Sequence, residues 1–171
     1  MDRLWSPWRS QYIESFNEAD DKPEDYCLFC DVLSTPDKDE EKYVLYRSDL
    51  CYVIMNLYPY NSGHLMVVPY RHLGTLTDMT DDEYLEIMRL IKRCSEALTK
   101  TMNPHGFNVG ANIGRVSGAG IDHHIHFHIV PRWNGDTNFM PVLGDTKVIS
   151  EEMSKTYRKL KKHLTNPATA D

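Results

Sequence analysis

Apolar residues fall into short runs through the middle of the chain, and the runs follow two different periods. Tyr43 to Tyr46 and Cys51 to Met55 are compact, rich in β-branched and aromatic residues, and joined by the turn-forming Arg47-Ser48-Asp49, so they predict two neighbouring strands. Tyr58 to Gly63 reads as a loop rich in Pro, Asn and Gly, followed by a third strand over His64 to Val68 that Pro69 closes. Phe107 to Asn112 and His124 to Val130 supply two more strands. Helical spacing recurs at Tyr84, Ile87, Met88, Ile91, Cys94 and Leu98, behind Thr80-Asp81-Asp82-Glu83, a capping-box start, and stops before Asn103-Pro104. A C-terminal helix is expected from a Ser150 cap, with Glu151 and Glu152 in its first turn, basic residues later, and Met153, Tyr157, Leu160 and Leu164 as its apolar stripe. Short strands around one long helix predict an α+β domain built on an antiparallel sheet. The domain spans 27–165. Residues 1–26 form an arm carrying Trp5, Trp8, Tyr12 and Ile13, and 166–171 a fraying tail.

The stretch from Gly118 to Pro131 holds the densest chemistry. His124, His126 and His128 stand two apart, separated by Ile125 and Phe127. On a strand, that period puts three imidazoles on one face and the apolar residues on the other. Imidazole can act as nucleophile, acid, base or ligand near neutral pH. One metal shared by all three is disfavoured, since same-face side chains lie roughly 6.5–7 Å apart along a strand. Before the triad, Gly114 to Gly120 is a small-residue loop able to turn backbone N–H groups toward an anion. Within it, Arg115 can neutralise phosphate charge, Ser117 can donate a hydrogen bond, and Gly118, Ala119 and Gly120 allow close approach.

Bulk properties narrow the classes. At 171 residues the chain is one domain by length, and its 41% hydrophobic and 26% charged composition is that of a globular protein. A net charge of −6 argues against a nucleic-acid partner, which would require a basic footprint. No apolar run is long enough for a bilayer and no secretory leader is visible, so a cytoplasmic protein without a membrane partner is expected. Four cysteines are then expected to stay reduced, with Cys51 and Cys94 as core residues.

The His-x-His-x-His run resembles the signature of the histidine triad (HIT) superfamily. Met55 to Pro69 is similar to the family's nucleoside-binding strand pair, and Gly106 to Asn112 to the strand before its triad loop. Leu4-Trp5-Ser6-Pro7-Trp8-Arg9 and Pro131-Arg132-Trp133 are similar to a bacterial branch that contains diadenosine tetraphosphate phosphorylases. The resemblance implies a five-stranded antiparallel sheet with a long central helix and a C-terminal helix, assembled as a homodimer. It implies His126 as the nucleophile, forming a nucleotidyl-imidazole intermediate, with His128 holding the α-phosphate and a carbonyl near His124 fixing the His126 tautomer. Asn56 matches the ribose-binding position, His64 the histidine packed behind the triad, and Asn112 a phosphate-side asparagine set one residue further from the triad than in common hydrolases. Ile54 and Met66 are expected in the base pocket or as ordinary sheet core. Many triad hydrolases carry Gln then Ser or Thr where this chain has Gly120-Ile121, a departure that favours the phosphorylase-like branch.

The implied reaction converts diadenosine tetraphosphate and phosphate into ATP and ADP. Its alternative is hydrolysis of dinucleoside polyphosphates or nucleoside phosphoramidates by the same nucleophile. No catalytic metal is required, although magnesium can accompany the substrate. Cys27-Leu28-Phe29-Cys30 has the spacing of half a tetrahedral zinc site. His72 and His124 are the leading partners for a structural zinc, as the resemblance implies. His123 and His105 are rival ligands, and reduced cysteines packed under the arm are the reading without metal.

Overall fold

The computed structural model describes residues 26–136 and 151–165. A single five-stranded antiparallel sheet organises them, in the order β1-β2-β3-β5-β4. The strands are β1 (Val44–Arg47), β2 (Cys51–Met55), β3 (Leu65–Pro69), β4 (Gly106–Ala111) and β5 (Phe127–Arg132). Three helices accompany them: α1 (Leu28–Ser34), α2 (Asp81–Met102) and α3 (Met153–Thr165).

β2 and β3 are buried at every position. Alternate residues therefore feed two cores rather than one. On one face Leu45, Val53, Met55, Leu65, Val67 and Ile129 pack against Ile87, Leu90, Ile91 and Leu98 of α2 and Tyr157, Leu160 and Leu164 of α3. On the other face Val44, Tyr52, Ile54, Met66 and Val68 pack with Phe29 and Val32 of α1. The stripe expected for α3 thus reaches the core, as do Cys51 and Cys94, both 0% exposed. Ser150, expected to cap α3, lies outside the described residues, as do the arm over 1–25 and the tail over 166–171.

The long helix matches its reading closely. Thr80 Oγ1 accepts from the Glu83 amide and the Glu83 carboxylate accepts from the Thr80 amide, closing the capping box. Asn103 ends the helix in the left-handed region (φ 48°), just before Pro104. Several boundaries need correction: Arg47, expected in the turn, ends β1, and β4 runs over Gly106–Ala111, leaving Asn112 outside. Tyr43 sits at φ 58° and leads into β1 instead of belonging to it. The third strand begins at Leu65, with His64 in the turn before it. The triad strand begins at Phe127 rather than His124, because the Ile125 amide donates to the Leu73 carbonyl at 2.7 Å instead of to a neighbouring strand. α1 was not expected at all. Among the described residues no helix is long and apolar enough to cross a membrane.

Candidate active site and metal cluster

Strand register builds the site. Ile54 pairs with Met66 and Met66 with His128, so one residue from each of β2, β3 and β5 forms a continuous row on the α1 face. A pocket opens over this row. Leu28, Phe29 and Val32 of α1 wall it on one side, and Asn56, Leu57, Tyr58 and Tyr60 from the loop after β2 wall another. Asn112, Gly118, Gly120, Ile121 and His126 complete the lining.

His126 is 5% exposed, with its ring 4.9 Å from that of Phe29 between centroids. Its Nδ1–H donates to the His124 carbonyl at 2.9 Å. A neutral ring that keeps its proton there carries its lone pair on Nε2. Burial lowers the His126 pKa from the ordinary imidazole value, opposed by the bond to that carbonyl. The neutral ring is therefore the form present at neutral pH.

A second chain of bonds sets His128. The Tyr60 amide donates to His64 Nδ1 at 3.0 Å, and the Asn56 amide nitrogen lies 3.3 Å from the same atom. His64 must then hold its proton on Nε2, which meets His128 Nδ1 at 2.9 Å. A neutral His128 accepting there bears its own proton on Nε2, as a hydrogen-bond donor. The two pocket-lining imidazoles are thus held in opposite roles, His126 with a lone pair on Nε2 and His128 with a proton on Nε2. Gly63 makes the approach of His64 possible: its φ is +78°, and a Cβ would lie 2.7 Å from Met102 Sδ.

His124 faces away from this pocket. Its Nε2 donates to the Pro69 carbonyl at 3.0 Å, leaving Nδ1 toward Cys27 Sγ (3.3 Å) and Cys30 Sγ (3.6 Å). His72 Nδ1 lies 3.1 Å from Cys30 Sγ. The four donor atoms all fall within 4.8 Å of one another. Ligand atoms about 2.0–2.3 Å from a tetrahedral ion are separated by roughly 3.5 Å, so the two-sulfur, two-nitrogen set fits such an ion. Burial holds His124 down to about 4, which keeps its Nδ1 free of a proton. Burial and the neighbouring Cys27 push the Cys30 thiol up to about 11; a bound cation would reverse that by favouring the thiolate.

Of the residues singled out in the sequence, Ile54, Asn56, Met66, Asn112, Gly118, Gly120, His126 and His128 meet around one pocket. His64 lies behind His128, 1% exposed. Arg115 and Ser117 stand exposed on a single helical turn and do not line the pocket, and Ser117 Oγ donates to the Gly114 carbonyl at 2.7 Å. Ala119 is buried in the same loop. Cys27, Cys30, His72 and His124 form the second cluster. His123 stacks on His72 without joining it, and His105 Nδ1 accepts from the Asn134 amide. The wall residues Leu28, Phe29, Val32 and Ile121 were missed. Leu28 and Phe29, an apolar pair between two cysteines, were the available signal.

A two-core α+β sheet with oriented imidazoles in one pocket and a Cys/His cluster beside them defines a class built for nucleophilic chemistry on a bound ligand. The HIT domain pattern matches residues 37–135, more than half of the chain, and the chain belongs to the HIT family. It is 40% identical over 161 residues to an AP-4-A phosphorylase of Mycobacterium tuberculosis, covering 94% of this chain and 83% of that relative. It is 30% identical to the adenosine 5'-monophosphoramidase hnt1 of Schizosaccharomyces pombe, across 63% of this chain and 75% of that one. Among solved structures, a Zn-bound histidine triad family protein from Mycobacterium smegmatis aligns with a TM-score of 0.65 and 25% identity, over 81% of this chain and 92% of that one.

Proposed function

We propose that this protein is a nucleotidyl transferase that cleaves dinucleoside polyphosphates, converting diadenosine tetraphosphate and phosphate into ATP and ADP. The carrying observation is the His126 Nδ1–H bond to the His124 carbonyl, which leaves a neutral ring with its lone pair on Nε2 in a walled pocket. Nε2 of His126 attacks the α-phosphorus, the P–N bond forms, and the bridging P–O bond breaks to release ATP. Inorganic phosphate then attacks the adenylated imidazole, restoring the ring and releasing ADP. His128 donates from Nε2 to an α-phosphate oxygen. The backbone of Gly118 to Gly120, with Arg115 beside it, receives the remaining phosphate charge; the Ser117 hydroxyl, expected to donate there, spends its proton on the Gly114 carbonyl. Asn56 serves the ribose, with Ile54 and Met66 beneath the base. Magnesium travels with the substrate where present.

The identity to the Mycobacterium tuberculosis phosphorylase supports phosphate as the acceptor. The weaker likeness to a monophosphoramidase supports a second reading, in which water takes the place of phosphate. Product analysis separates them. ADP that appears only when phosphate is supplied supports the transferase, whereas AMP formed at the same rate with and without phosphate contradicts it.

The cluster of Cys27, Cys30, His72 and His124 is read as a structural zinc site, closed by four protein ligands and so without an open position for chemistry. It pins the start of α1 and the residue whose carbonyl orients His126. A homodimer is read from β4, an edge strand whose Asn108, Val109 and Gly110 are exposed. Edge pairing would extend the sheet across two subunits. The reaction needs neither membrane nor nucleic acid, in keeping with a cytoplasmic enzyme.

A further inference from the structure

The pocket has a chemically distinct far end. Its phosphate side carries His126, His128, Gly118 and Gly120. The row under it continues from His128 through Met66 and Ile54 to Val44 on β1. Neighbouring strands lie about 4.8 Å apart, so β1 is roughly 14 Å from His128. Glu41 and Lys42, just before β1, line the pocket at that remote end. A nucleoside whose phosphate meets His126 extends its base in this direction.

Between the two ends the wall is Leu28, Phe29, Val32, Ile54, Met66 and Ile121. These side chains can cover the faces of a base but offer no donor or acceptor to its edge. Lys42 offers none either. Its Nζ donates to Asp31 Oδ2 at 2.7 Å, the Asp31 carbonyl at 3.3 Å and Thr35 Oγ1 at 2.6 Å. An ammonium has three protons, so these bonds engage all of them and tie α1 to the segment before β1. Glu41 is exposed and brings a carboxylate, an acceptor-only group at neutral pH, to the same end.

We propose that Glu41 is a specificity-determining residue whose carboxylate accepts a hydrogen bond from the exocyclic amine of the bound purine. The assignment rests on the nucleotide-transfer reading of the pocket and adds the base it selects. Adenine carries an amine at its six position. Hypoxanthine places a carbonyl oxygen there, which a carboxylate repels, and unsubstituted purine places nothing.

The test measures dissociation constants of AMP, IMP and purine riboside 5'-monophosphate by calorimetry on the full chain. Wild-type protein is expected to bind AMP about three- to tenfold more tightly than the other two, a charge-assisted bond discounted for its exposure. Glu41→Ala should bring the three nucleotides within about twofold of one another, mainly by weakening AMP. Glu40→Ala, one residue away and outside the pocket lining, should keep the wild-type preference. An unchanged preference in Glu41→Ala, an equal loss in Glu40→Ala, or no preference in wild-type protein would overturn the proposal while leaving the transferase reading standing. Failure of wild-type protein to bind any of the three would remove both.

Discussion

At the scale of single residues, chemistry is set by which ring nitrogen holds a proton. His126 surrenders one edge to the His124 carbonyl and His128 accepts from His64, so two rings of the same kind take opposite parts. This makes a pH prediction. Burial lowers the His126 pKa, so the neutral ring persists as pH falls below the usual imidazole range. The acidic limb of kcat/KM is expected at a midpoint below about 6.5. A limb at or above that value would mean that the ring is solvated or protonated in the free enzyme. The alternation of imidazole and apolar side chains was plain in the sequence, because a period of two leaves little freedom in which face each residue takes. Glu41 was hidden, since nothing in an acidic run marks the one carboxylate that faces a pocket.

At the scale of elements, α2 shows how local signals settle an end. Glu83 serves both as the last residue of the capping box and as partner of Arg71, whose guanidinium meets both carboxylate oxygens at 2.7 Å. Arg71 chiefly, with the Thr80 bonds, holds the Glu83 carboxyl down to about 2. Its folded pKa lies below the unfolded one. The stabilisation is therefore complete above about 4.3, the unfolded value, and is lost as pH falls toward about 2. Glu83→Gln should lower stability by about 1–3 kcal/mol at neutral pH and flatten the acid dependence of Tm across that window. An unchanged acid profile in that variant would show that the pair contributes nothing. α1 illustrates the opposite case. Seven residues make barely two turns, too few for a helical period to emerge, and Cys27 gives its start no side-chain cap. What holds α1 is tertiary: Phe29 and Val32 are 2% exposed against the sheet, and Lys42 clasps Asp31 and Thr35.

At the scale of the molecule, the sheet separates two tasks. One face buries α2 and α3 and supplies most of the core; the other carries the pocket and the Cys/His cluster. His124 joins them, with its Nδ1 in the cluster and its carbonyl on His126. Loss of the proposed zinc should therefore loosen α1 and the segment before β5. Cys27→Ser is expected to reduce bound zinc and to lower Tm by several degrees, with hydrogen exchange rising in α1 and over 123–127. Elemental analysis that finds no metal in freshly purified wild-type protein would contradict the zinc assignment. The five-stranded antiparallel sheet and its helix-packed core were legible once the family resemblance was added to the periodicity; the strand order and the second core under α1 were not. Spacing alone marked only the Cys27/Cys30 pair, because distant segments carry no spacing rule; the resemblance supplied His72 and His124, and the structure brings all four together.

Transfer through His126 requires that its ring become covalently adenylated. Rapid quenching of wild-type protein with diadenosine tetraphosphate in the absence of phosphate, followed by intact-mass and peptide mapping, tests it directly. One adenylyl group per chain is expected, located on His126, discharged as ADP on adding phosphate, and absent from a folded His126→Ala variant that still binds AMP. Turnover without any adduct, or an adduct that persists in His126→Ala, would contradict it.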